Sequence, residues 1–220
     1  MKVLALFSLS SILVLSQLSG NTQSCTLTCP PNIVVKTESG MEGALVSFPR
    51  ITSLGTGDCG TITYSKPNGS FFRIGSHSIT ATSSSGEKCA FTVTVTDNES
   101  PRLSELTLSS KKVWPPTNKM KRVAVYYTAS DNAQNVISVL SVHSNQTASG
   151  INDCEVINNH LVRLKASRLP DGASRIYTIM VTSTDEAGNT TSRTTYIAVS
   201  KTTGLTYASI DVNALRQTED

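Results

Sequence analysis

Five carboxylates in this 220-residue chain lie in turn-forming surroundings: Asp97 and Glu99 within T-D-N-E-S-P, Asp131 within S-D-N, and Asp185 and Glu186 within D-E-A-G-N. Their oxygens suit a hard cation such as calcium, which takes roughly six to eight oxygen ligands. No contiguous twelve-residue calcium loop is present. The fold would therefore have to gather these turns, most simply where two structural units meet, and an ion bound there would stiffen the hinge. Acidic turns facing water without a metal are the plainer alternative, and no other cofactor is indicated.

The five cysteines, at 25, 29, 59, 89 and 154, point to different chemistry. Zinc is not indicated, because Cys25-x3-Cys29 has no matching second pair nearby and His77, His143 and His160 are widely separated. Disulfides are expected instead. A Cys29–Cys89 bridge would tie together the two ends of one small unit. Cys25 and Cys59 then remain as the second pair, although spacing alone leaves the connectivity open. Cys154 has no local partner and is either a buried thiol or a link to another chain. The histidines sit in unrelated contexts without a linear nucleophile or base motif, so no catalytic residue is assigned and an enzyme is not expected.

Two further kinds of residue bear on recognition. Asn68, Asn98, Asn145 and Asn189 each open an N-x-S/T glycosylation acceptor, with Pro101 placed to reduce the use of Asn98. Trp114, beside Pro115-Pro116, offers a large ring and one indole donor. Packing within a core or between units is its ordinary use. Ligand contact is the alternative, with Tyr126 and Tyr207 as further aromatics for a glycan-binding face.

Strands must position these groups. The chain is 38 % apolar and 16 % charged, a globular balance, and its wealth of Thr and Ser favours pleated surfaces over helices. A scattered net charge of +3 gives little field for a polyanion, so nucleic acid is not an expected partner. Lys2 and the apolar run from Val3 to Leu15 read as a secretory signal spanning residues 1–20, with an alternative cut after Ser24. That run is short of the roughly 20 apolar residues of a membrane span, and no second one follows, so no transmembrane anchor is expected. Thr22-Gln23-Ser24 is a poor lead-in for lipidation at Cys25. Export also makes disulfides the natural use of the cysteines.

Phe91, Val93 and Val95 alternate with Thr92, Thr94 and Thr96 as a half-buried strand requires, and Asp97 to Pro101 stop it. Short strands are expected before it at Ile33 to Thr37, Ala44 to Phe48, Thr61 to Tyr64, Phe71-Phe72 and His77 to Thr82, with a breaker loop from Ser53 to Gly60. After it come Leu103 to Ser109, Arg122 to Thr128, Val136 to Val142, a strand from Leu161, Ile176 to Ser183 and Thr194 to Val199. A long polar loop from Ser144 to His160 carries Cys154 and is the surface freest for a specific role. Pro170-Asp171-Gly172 is a turn. The expectation is an all-β chain with two β-sandwiches, at residues 25–98 and 101–200, and a tail at 201–220.

The first of these resembles a HYR (hyalin repeat) domain. The resemblance rests on Cys29-Pro30, Ile33-Val34-Val35, Val46-Ser47-Phe48, Asp58-Cys59, Gly69-Ser70-Phe71-Phe72-Arg73-Ile74-Gly75, and Cys89 through Asp97. Many hyalin repeats carry a further cysteine where Met41 stands here, and Cys25 takes its place as partner for Cys59. The second resembles immunoglobulin-like domains of secreted tandem proteins, through Val113-Trp114-Pro115-Pro116-Thr117-Asn118-Lys119-Met120 and the Asp185 to Asn189 turn, with Thr117 as an insertion. These resemblances imply two immunoglobulin-like β-sandwich domains in tandem. They further imply a secreted, extracellular or cell-surface-associated adhesion, matrix or structural protein that contacts an extracellular protein or matrix component. Binding of a carbohydrate or surface polymer is the alternative, and disulfide-linked assembly through Cys154 is a further option.

Overall fold

The computed structural model describes residues 24–55, 57–133, 135–146, 152–168 and 174–200. The expected signal segment, the Pro170-Asp171-Gly172 turn, Tyr207 and the tail 201–220 lie outside the described residues. Every helix or strand assigned among those described is a strand, as the β-branched composition demands. None of them forms a helix long and apolar enough to cross a membrane.

The N-terminal unit contains β1 (Thr26–Thr28), β2 (Ile33–Lys36), β3 (Gly43–Val46), β4 (Thr52–Leu54), β5 (Ile62–Tyr64), β6 (Ser70–Arg73), β7 (Gly75–Ser83) and β8 (Lys88–Thr96). Its main sheet runs β2-β8-β7-β5, with β2 parallel to β8 and the other pairs antiparallel. The pairs β3-β6 and β1-β4 lie across the core from it. Alternation along β8 buries Phe91, Val93 and Val95 against Ala44, Val46, Phe48 and Phe72, each large side chain contributing about 1.5–3 kcal/mol. The Phe48 ring touches Phe91 edge-on at 5.1 Å and Tyr64 at 5.3 Å. Disulfides join Cys25 to Cys59 and Cys29 to Cys89.

The C-terminal unit contains β9 (Arg102–Leu103), β10 (Thr107–Leu108), β11 (Lys112–Val113), β12 (Met120–Tyr126), β13 (Ala129–Ser130), β14 (Val136–Ser144), β15 (Cys154–Asn158), β16 (Leu161–Lys165), β17 (Ile176–Asp185) and β18 (Thr190–Val199). One sheet runs β10-β12-β16-β15 and the other β11-β18-β17-β14, while β9 pairs with β13. Val123, Val125, Val162 and Leu164 of the first sheet close on Tyr177, Ile179, Val181 and Ile197 of the second. This makes two sandwiches in tandem, each with its own core.

Three local expectations need correction. The segment expected as one strand at Leu103 to Ser109 is two, because Ser104 diverts the chain: its N–H donates to the Thr128 carbonyl at 3.0 Å, and its Oγ accepts from the Thr128 N–H at 2.9 Å. The polar stretch Ser144 to His160 holds β15, which pairs with β16 through a register shift between Val156 and Asn158. The breaker loop Ser53 to Gly60 begins inside β4, which pairs with β1 while Leu27 anchors it in the core.

Candidate cation site at the junction

Asp97 follows β8, Asp131 follows β13, and Asp185 ends β17. Strand ends suit these residues, whose short carboxylates compete for nearby backbone amides. Asp131 accepts from Ala133 N–H at 2.9 Å, and Asp185 accepts from the backbone and the side-chain amide of Asn189, both at 2.8 Å. The three turns converge: each residue offers an oxygen, and the three lie within 4.8 Å of one another. Three of the five carboxylates singled out in the sequence are thus gathered where the two units meet.

The other two are engaged beside the cluster. Glu99 accepts the Gly40 N–H with both carboxylate oxygens at 2.9 Å, and Gly40 reaches that pose through a φ of 71°. That backbone hydrogen bond, helped by Ser39 and Arg102, holds the Glu99 carboxyl below its ordinary range. Glu186 accepts from Asn135 Nδ2 at 2.6 Å.

Asn132, which sequence reasoning missed, stitches the units together. Its Nδ2 donates to the Met41 carbonyl at 2.9 Å and to Asp97 Oδ1 at 3.3 Å. Asp97 Oδ1 also accepts from Glu99 N–H at 3.1 Å. Asp97 Oδ2 and Asn132 Oδ1 are shut away from solvent without a hydrogen-bond partner among the described residues. Such orphans are rare in folded proteins and ask for an ion or a water. Beside them opens a cleft of about 220 Å³ between Gly40 and Glu99 on one side and Arg102, Ser130 and Asp131 on the other. An Asn in an S-D-N turn was the available signal. The residues present offer carboxylate and amide oxygens only, the donor set calcium prefers.

The remaining candidates are dispersed. His77 bonds through Nε2 to the Arg73 carbonyl at 2.8 Å, and His160 bonds to the Val125 carbonyl and stacks on Tyr127 at 4.5 Å. His143 is exposed on β14. Trp114 follows a buried Val113 and is 44 % exposed, so it does not plug the core. Tyr126 is 56 % exposed. Cys154 is a half-buried free thiol whose Sγ lies 3.6 Å from the Val142 carbonyl. Burial, then the Asp153 carboxylate, push that thiol up, with Arg175 opposing, which leaves little reactive thiolate. Among the glycosylation acceptors, Asn68 exchanges two hydrogen bonds with the Phe48 backbone, Asn145 bonds Ile176 and Ser174, and Asn189 bonds Asp185. Asn98 is exposed, and its Oδ1 accepts from Thr37.

Solved structures similar to this chain are extracellular domain arrays. The cadherin domains 1–4 of protocadherin gamma B7 share 16 % identity over 80 % of this chain and 50 % of that one, with a TM-score of 0.35. Drosophila N-cadherin EC1-4 shares 9 % over 80 % and 49 %, with a TM-score of 0.31. The N-terminal eight Ig domains of Down Syndrome Cell Adhesion Molecule share 9 % over 79 % and 27 %, with a TM-score of 0.36. This chain thus spans half or less of each of these chains. No curated protein matches its sequence. Residues 20–95 match the HYR domain family, so the N-terminal sandwich, with its two disulfides, is an HYR domain.

Proposed function

We propose that this chain is a secreted, non-catalytic adhesion or matrix component. In this reading two modules, residues 25–98 and 101–200, are locked at their junction by calcium held by Asp97, Asp131 and Asp185. The observation that carries the cation is the pair of solvent-excluded, unpartnered oxygens, Asp97 Oδ2 and Asn132 Oδ1, beside three carboxylates within 4.8 Å. A divalent ion would neutralise charges that otherwise repel across the junction. Glu99 and Glu186 support the surrounding turns through Gly40 and Asn135. The extracellular assignment draws on the HYR domain and its disulfides.

Calorimetric titration of the chelator-treated chain with calcium tests the site. One ion per chain is expected, with a dissociation constant on the order of 10⁻⁴–10⁻³ M, as extracellular modules show, and Asp131→Asn should abolish the heat. No saturable binding by the wild type at ten times that concentration would remove the cation from the reading. Non-reducing capture of the secreted chain with its neighbours, followed by mass spectrometry, tests the adhesive role: an extracellular protein or matrix component is expected. Link formation through Cys154 requires its sheltered thiol to come out past Val142.

Recognition of a glycan is the second reading, favoured by the exposure of Trp114 and Tyr126. A glycan array discriminates it, since binding lost in Trp114→Ala would put the ligand on that ring.

A further inference from the structure

The net charge of +3 conceals an asymmetry between the two units. Residues 25–98 carry five Lys or Arg against five Asp or Glu, whereas residues 101–200 carry eleven against seven. Lys111, Lys112, Lys119, Lys121 and Arg122 fall within one stretch that holds no acid, the density expected of a polyanion-binding patch. The fold gathers these heads. Val123 and Val125 of β12 and Val162 and Leu164 of β16 are buried, so Arg122 and Arg163 face outward, and the register sets them directly opposite one another. Like charges so placed destabilise a sheet. Arg163 is relieved by the exposed Glu155 at 3.1 Å, while Arg122 has no ion pair among the described residues. On the other flank of β12, Thr107 lies opposite Tyr126 and Leu108 opposite Val125, and Ser109 N–H donates to the Ala124 carbonyl at 2.9 Å. The same count brings the exposed Lys111 beside Arg122. Lys111, Arg122 and Arg163 thus form a row about 10 Å wide, two strand spacings. Lys119 and Lys121 stand at the entry of β12, where the Ala166 N–H donates to the Lys119 carbonyl at 2.8 Å. The opposite sheet presents Ile137, Val139, Met180 and Thr182 outward instead.

We propose that this row, Lys111, Arg122 and Arg163 with Lys119 and Lys121 at its end, is a binding surface for a sulfated polysaccharide. A sulfate group placed between Arg122 and Arg163 would remove the repulsion that the register imposes. Each guanidinium offers a planar fork to two of its oxygens, and the lysines add point charges. A linear polymer repeats its anions along its length, so contacts that are weak singly add up. An acidic protein is a poorer occupant, because a protein interface needs an apolar centre and the outward positions next to the arginines are Ala124 and a half-buried Leu161. An anionic membrane is poorer too. The negative surface potential of membranes belongs to the cytoplasmic leaflet, which a chain held by two disulfides does not meet. This surface depends neither on calcium at the junction nor on the ring of Trp114.

Heparin is the probe, and the chelator-treated full chain is used so that failure of the calcium site leaves the test standing. Immobilised heparin is expected to retain the chain at roughly 0.15 M salt and release it toward 1 M, where the screening length falls from about 8 Å to about 3 Å. Arg122→Ser combined with Arg163→Ser should weaken binding by roughly tenfold or more in surface plasmon resonance. Lys36→Ser combined with Lys88→Ser removes the same charge from the N-terminal unit and should leave the affinity unchanged. All four side chains are exposed, so both variants should keep the wild-type thermal midpoint. Arg122→Lys with Arg163→Lys, which keeps the charge and loses the forks, should fall between. Heparin stripped of its sulfates, at equal chain length, should bind more weakly by roughly tenfold or more. Trp114→Ala should bind heparin as the wild type does, which separates this surface from recognition through that ring. No retention at physiological salt, an equal loss in the N-terminal variant, loss in Trp114→Ala, or undiminished binding of the desulfated polymer would overturn the proposal. A preference for phosphatidylserine vesicles over heparin would overturn it in favour of a membrane surface.

Discussion

Arg175 and Asp153 form the most deeply buried ion pair among the described residues, 2.7 Å apart with both side chains 3 % exposed. Tyr177 Oη donates to the Asp153 and Lys165 carbonyls at 3.0 and 2.8 Å, so the group ties the start of β17 to the opposite sheet. The Asp153 carboxylate oxygens and Arg175 Nε make no directed hydrogen bond among the described residues, and the pair is held by charge. Removing Arg175 leaves the buried Asp153 carboxylate only the Lys165 ammonium at 3.6 Å, so Arg175→Met is expected to destabilise the C-terminal unit by less than the roughly 3–5 kcal/mol of a fully stranded charge, measured by urea unfolding. Arg175→Met combined with Asp153→Leu should recover much of that loss. Glu99 makes a prediction at the surface. Its folded-state pKa lies below the ordinary 4.5, so its contact with Gly40 stabilises the junction above that pH and is lost as pH falls through the lower folded value. The Gly40 amide resonance should therefore titrate with a midpoint below 4.5, and Glu99→Gln should abolish the step. The sequence pointed to Glu99 as a cation ligand because acidity in a turn is visible. Which oxygen finds an amide first is decided by a loop some sixty residues away.

At the scale of the element, the two disulfides differ in what they restrain. Cys29–Cys89 closes 60 residues and Cys25–Cys59 closes 34, so chain entropy makes each worth roughly 4 kcal/mol, the longer about 0.5 kcal/mol more. Cys29→Ala/Cys89→Ala should accordingly lower the thermal midpoint of the N-terminal unit slightly more than Cys25→Ala/Cys59→Ala, as differential scanning calorimetry reads. Strands with one buried face were legible in advance: Phe91, Val93 and Val95 in β8, and Tyr177, Ile179 and Val181 in β17, repeat every two residues because one side must leave water. The unexpected strands lack that signature. β4 is exposed throughout, β15 nearly so, and both exist because a partner strand supplies the hydrogen bonds. Local pattern carries no trace of a strand whose cause is its neighbour. The bipartite Leu103 to Leu108 segment escaped for the same reason, since its break is set by Ser104 meeting Thr128.

For the whole molecule the decisive contact is Asn132, which reaches from the C-terminal unit to the Met41 carbonyl and Asp97 of the N-terminal one. The carboxylates gathered there were legible as acidic turns flanking an expected boundary, while the amide that joins them was hidden, because a lone Asn after Asp reads as ordinary turn chemistry. Each unit has its own apolar core, so the junction governs the angle between units more than the survival of either. Asn132→Ala removes two hydrogen bonds, each contributing about 0.5–1.5 kcal/mol, without touching a buried apolar side chain. The expected outcome is an unchanged thermal midpoint for both units together with a broader distribution of inter-unit angles, read as a larger radius of gyration in X-ray scattering. Calcium should narrow that distribution in the wild type and do so less in the variant, since the ion and the amide would hold the same turns. A fall in both midpoints with no change in scattering would mean that the two units share one cooperative core, and that the junction is not a hinge.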